Sequence, residues 1–151
     1  MNVLYYYETE SRLARDLRAM IEAEPSLKYL ELFGDIQLFS RHLSGRLDVK
    51  TVAVVLTEKE DELLSLYFIK HLLSKTPLFL ILPDGDPVTR AIGFRINPTA
   101  WCHKDSPADL MRLALRQAMR DDRMDRSRAN AIERFGGPGD RCRPLATDRA
   151  A

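Results

Sequence analysis

Val52-Ala53-Val54-Val55-Leu56-Thr57 is the stretch whose reading decides the fold. It holds almost no polar atom, and nothing in it alternates polar with apolar. A strand with one wet face alternates. A strand covered on both faces does not, and such strands lie in the middle of parallel sheets. In open α/β sheets, ligands and reactive groups gather just past the carboxyl ends of the strands. Thr57 is therefore the first residue to question, with the charged turn Glu58-Lys59-Glu60-Asp61 behind it. A threonine followed by a glutamate is a weak provision for chemistry.

Outward from this stretch the chain alternates. Residues 3–7 form an apolar, aromatic run that predicts a first strand. Residues 8–24 switch to helical spacing, with Leu13, Leu17, Met20 and Ile21 on one stripe, and Pro25 ends them. Residues 27–33 predict a second strand. Asp35 then caps a short helix carrying Ile36, Phe39 and Leu43. Residues 60–75 predict one helix, apolar nearly all round, with Leu66, Phe68 and Ile69 among its apolar side chains. A helix lying on a sheet usually keeps a polar face, so this one has apolar surface to spare for a partner. A place beneath a neighbouring loop would use the same surface.

Residues 77–82 predict a fully apolar strand, and Asp86-Pro87 opens a helix through Phe94. Residues 100–103 predict the last strand. Ser106-Pro107-Ala108-Asp109 opens the final helix, which is expected to turn Leu110, Leu113, Ala114 and Met119 inward. Five strands alternating with five helices predict an α/β domain over residues 1–122. Its sheet is doubly wound, five-stranded and parallel, in order 2-1-3-4-5. The last helix is expected to continue past Asp122, giving a helical extension over 123–134. Gly136-Gly137-Pro138-Gly139 then begins a disordered tail over 135–151.

Composition narrows the function classes. The 151 residues suffice for one domain with a real core, and 45% hydrophobic with 30% charged residues is the balance of a soluble globular protein. A net charge of +1 argues against wholesale binding to nucleic acid or to a membrane. From Arg112 onward, ten arginines face six acidic residues, so a basic excess sits at the end of the chain. Cys102 and Cys142 imply no disulfide framework. The first residues lack the form of a signal peptide, and no apolar run reaches transmembrane length. A cytoplasmic location is the expectation.

Lys104 stands just after the fifth strand, and Ser106-Pro107-Ala108-Asp109-Leu110 opens the helix behind it. With the element order and size, this resembles the receiver domain of two-component response regulators over residues 2–122. The lysine is the most specific token; the remainder is common to doubly wound proteins. The resemblance implies two acids after strand one for magnesium, a phospho-accepting aspartate after strand three, and a Ser or Thr after strand four. At those places stand Tyr7 and Glu8, Thr57, and Pro83. Asp105 follows Lys104 where receivers carry proline. A threonine cannot form an acyl phosphate, which requires a carboxylate nucleophile. One acid is poor provision for a hard divalent cation. The expectation is a degenerate pseudo-receiver with no catalytic residue, no metal and no cofactor.

Other residues offer competing readings. Glu58, Asp84, Asp86 and Asp105 gather near the same crest with His103, where a metal-binding or small-molecule enzyme site is conceivable. Yet Asp84-Gly85-Asp86-Pro87 is what a turn and a helix cap require anyway. No Gly-rich phosphate loop follows strand one. Tyr5 and Tyr7 are expected on one face of the sheet and Tyr6 on the other. Arg112, Arg116, Arg120 and Arg123 form a stripe that suits an acidic partner or a phosphate backbone, but interleaved acids favour a solvated, ion-paired face.

The expected function is thus a signalling or regulatory module acting by contact with a protein partner, independent of phosphorylation. A homodimer is expected, held through the apolar helix or through the face of the last strand and last helix. The resemblance itself points to the latter face. A nucleic-acid regulator using the arginines is the third reading.

Overall fold

A computed structural model describes residues 1–45 and 50–121. Its five strands are β1 (Asn2–Tyr7), β2 (Tyr29–Phe33), β3 (Thr51–Leu56), β4 (Leu78–Leu82) and β5 (Ala100–His103). The helices are α1 (Arg12–Glu22), α2 (Ile36–Ser44), α3 (Glu60–Tyr67), α4 (Lys70–Leu73), α5 (Pro87–Arg95) and α6 (Ala108–Met119). The sheet is wholly parallel, in order β2-β1-β3-β4-β5. Every residue of β3 and β4 is buried, as a strand without polar alternation requires.

Alternation along the strands divides the core in two. Val3, Tyr5, Val54 and Ile81 face α1 and α6, while Leu4, Tyr6, Val55 and Leu80 face α2, α3, α4 and α5. The tyrosines follow that rule: Tyr5 and Tyr7 pack at 4.8 Å on one face, and Tyr6 stacks on Phe39 at 5.1 Å on the other. Tyr5 donates to the Ala14 carbonyl at 2.9 Å, so its buried hydroxyl is satisfied.

Two expectations about helices are corrected. The single helix over 60–75 is broken: α3 ends at Tyr67, and Ile69 leaves helical geometry at φ −112°, ψ 20° before α4 begins. An all-round apolar helix cannot dock every side on one sheet. The break lets Leu63 and Leu66 pack before it and Leu73 after it, while Phe68 turns out and is 79% exposed. Leu66, expected at an interaction surface, is fully buried instead.

In α6 the inner stripe is Met111, Ala114, Leu115, Ala118 and Met119. Leu110 and Leu113, expected inside, are exposed. The helix also stops sooner than expected. Arg120 caps it, and the Asp121 carboxylate accepts from the Thr99 hydroxyl at the foot of β5. The helical extension over 123–134 and the tail over 135–151 lie outside the described residues. Among the described residues no helix is long and apolar enough to cross a membrane.

Candidate functional site

The parallel topology brings Tyr7, Glu8, Thr57, Pro83 and Lys104 to one edge, the carboxyl crest of the sheet, as their places after β1, β3, β4 and β5 predict. What they form there is closed by internal hydrogen bonds. Thr57 is fully buried. Its amide and its hydroxyl both donate to the Ile81 carbonyl, at 3.0 and 2.7 Å. The amide thus extends the β3–β4 ladder by one bond, and the hydroxyl doubles it on the same oxygen. Pro83, also buried, supplies neither a hydroxyl nor an amide proton.

Glu8 accepts from the Tyr6 hydroxyl at 3.1 Å. Burial, and then the Glu8 carboxylate, push the Tyr6 phenol well above its ordinary range. Burial does the same to Tyr5, helped by Tyr7 and Glu58. Lys104 donates from Nζ to the Glu58 carbonyl at 3.4 Å and from its amide to the Leu82 carbonyl at 2.9 Å. Its ammonium therefore rests against the backbone of the β3–α3 turn.

Two crest residues escaped the sequence reading. Glu62 is buried in the first turn of α3, where one oxygen accepts from the Glu58 amide at 2.9 Å and the other from the Thr9 hydroxyl at 3.1 Å. An acid three residues past the N-cap is placed to reach back to the chain entering the helix, and that local signal was available. Its contact with Thr9, 53 residues away, was not. Among the described residues the buried Glu58 Oε2 atom has no hydrogen-bond partner.

The other acids serve local structure. Asp84 accepts from the Asp86 amide at 2.9 Å, and Asp86 caps α5 through the Val88 and Thr89 amides. His103 donates from Nδ1 to the Asp84 carbonyl at 2.9 Å, which sets its tautomer. Among the described residues no group of three or more His, Cys, Asp and Glu side chains is placed to hold a metal ion. Magnesium needs convergent oxygens. Glu8 engaged by Tyr6, with a phenol ring at Tyr7, does not supply them.

The candidate interaction residues fall in separate places. Phe68 is exposed and Ile69 half-buried, beside a groove between α2 and α3 lined by Ile36, Gln37 and Ser65. On α6, Arg112 pairs with Asp109 at 3.1 Å and Arg116 with Glu24 of the α1 side at 3.4 Å, while Arg120 is exposed at the cap. Arg123 lies outside the described residues. Comparison with family models, with curated proteins and with solved structures finds no match to this chain.

Proposed function

We propose that the chain is a pseudo-receiver, a cytoplasmic signalling or regulatory module that works by protein contact and without phosphorylation. One observation carries the reading. Thr57, at the place of the acceptor carboxylate, is buried with its hydroxyl committed to the Ile81 carbonyl. The acceptor place thus offers neither a carboxylate nucleophile nor a vacant hydroxyl, and the crest lysine is already held by the Glu58 carbonyl.

Contact is favoured over catalysis because large apolar side chains are left exposed away from the crest, Phe68 above all. The partner in this proposal includes a second copy of the chain. Pairing of Arg112 and Arg116 with Asp109 and Glu24 weighs against a phosphate backbone as the partner of α6. The test is incubation with acetyl phosphate and magnesium, followed by intact mass spectrometry. No phosphoryl adduct is expected, and an acid-stable or acyl-linked phosphate at the crest would refute the proposal.

A further inference from the structure

Between α3 and α5 runs a groove that the crest does not use. Its volume is about 470 Å3, within the range of small-molecule sites. Leu64, Val88, Ala91 and Ile92 form apolar walls, and Leu64 and Val88 are 42% and 61% exposed. Both helices leave the same crest, so Tyr67 at the end of α3 and Arg95 at the end of α5 meet at the far end of the groove. Lys70 joins them there. Its Nζ donates to the Tyr67 hydroxyl at 3.0 Å and lies 4.2 Å from the centre of the Tyr67 ring.

Charge at that end is unbalanced. Lys70 hydrogen-bonds to the Tyr67 oxygen, and with Arg95 nearby it holds the phenol below its ordinary value. Among the described residues neither cation is paired with a carboxylate. Several other surface arginines do pair with acids: Arg12 with Asp16, Arg18 with Glu22, Arg112 with Asp109. Lys70 on the phenol and Arg95 in the groove lining put two cations at one end of an apolar cleft, an arrangement that suits an anion. An anion bound there would gain charge-assisted hydrogen bonds from both.

We propose that the α3–α5 groove binds a small amphiphilic carboxylate, its apolar chain between Leu64 and Val88 and its head group against Lys70, Arg95 and the Tyr67 hydroxyl. The geometry sets the length. Val88 and Arg95 are separated by roughly 10 Å along α5 at the helical rise, about the reach of an extended eight-carbon chain. A peptide would need a longer track than this cleft offers. The proposal stands independently of the crest and of the partner-binding reading.

The test uses the full chain labelled with 15N and titrated with octanoate, octanol and acetate. Octanoate is expected to move amide signals of α3, α5 and the Lys70 end of α4, octanol to bind about tenfold more weakly for want of the charge-assisted bonds, and acetate to do nothing. Ala91 and Arg95 are exposed, so variants there keep the fold, as the unmoved remainder of the spectrum checks. Ala91→Trp fills the groove and is expected to abolish the shifts. The pair Lys70→Gln and Arg95→Gln is expected to reduce octanoate to the affinity of octanol. Equal binding of octanol, shifts outside α3, α4 and α5, indifference to Ala91→Trp, or no shifts at millimolar octanoate would each overturn the assignment.

Discussion

Thr57 shows how little a hydroxyl needs to do in order to close a site. The Ile81 carbonyl already accepts from the Thr57 amide, so the hydroxyl adds a second bond to a satisfied oxygen. Thr57→Val is therefore expected to cost about 1 kcal/mol or less. Thr57→Asp puts a carboxylate in the same buried space, facing a carbonyl oxygen. The expected cost is at least ~2 kcal/mol, unless Lys104 swings from the Glu58 carbonyl to meet it. Both are read from urea midpoints. Magnesium is expected to leave the Thr57→Asp midpoint where it was, because Tyr7 still occupies the place of one metal-binding acid. A magnesium-dependent rise would show that the crest retains a latent cation site. At this scale the sequence was legible where topology alone decides position, as with Thr57, Pro83 and Lys104. It was not legible where a residue's role depends on a distant side chain, as with Glu62 and Thr9.

Among the elements, β3 and β4 declared themselves because an unbroken apolar run fits only a doubly covered strand. The same uniformity hid the break between α3 and α4. With apolar residues on every side there is no period to say which of them face the sheet. In α6 two apolar stripes competed: Leu110 and Leu113 are as hydrophobic as Met111 and Leu115, and only the setting of the helix on β5 chooses between them. Helix α5 offers the sharpest test of packing. A Cβ at Gly93 would lie 2.7 Å from Leu82 Cδ2, within a fully buried part of the core. On propensity alone Gly93→Ala gains about 1 kcal/mol. Pressing α5 off β4 is expected to outweigh this, since overpacking costs about 1–3 kcal/mol. The net prediction is a lowered urea midpoint with an unchanged slope, and a raised midpoint would show that Leu82 has room to turn.

For the whole molecule, burial of acidic protons makes alkali the direction of weakness. Burial pushes the Cys102 thiol from 9.0 up to about 11, and raises Tyr5 and Tyr6 above the ordinary 10.0. In each case the unfolded chain loses its proton first. The stability these groups confer is intact below about pH 9 and falls as pH rises, Cys102 acting between 9 and about 11 and the tyrosines from 10 upward. Cys102 alone accounts for roughly 2–3 kcal/mol of this decline. Unfolding free energies measured from pH 7 to 11 should fall through that window, and Cys102→Ala should flatten its lower part. The proposed homodimer follows from the α3–α4 break. Phe68 projects from it beside the groove lined by Ile36, Gln37 and Ile69, so a knob and a hollow sit on the same face. A two-fold contact can seat each Phe68 in the other copy's groove, the self-complementary arrangement that closed dimers use. A central aromatic of this kind commonly contributes 2 kcal/mol or more, roughly thirtyfold in affinity. Sedimentation at micromolar concentration is expected to show a dimer for the natural chain and a monomer for Phe68→Glu. Because Phe68 is exposed in the single chain, that substitution should leave the unfolding midpoint of the monomer within about 0.5 kcal/mol of the original. A natural chain that sediments as a monomer sinks the dimer, and an unaltered dimer in Phe68→Glu moves the contact to the β5–α6 face, where Leu110 and Leu113 are exposed.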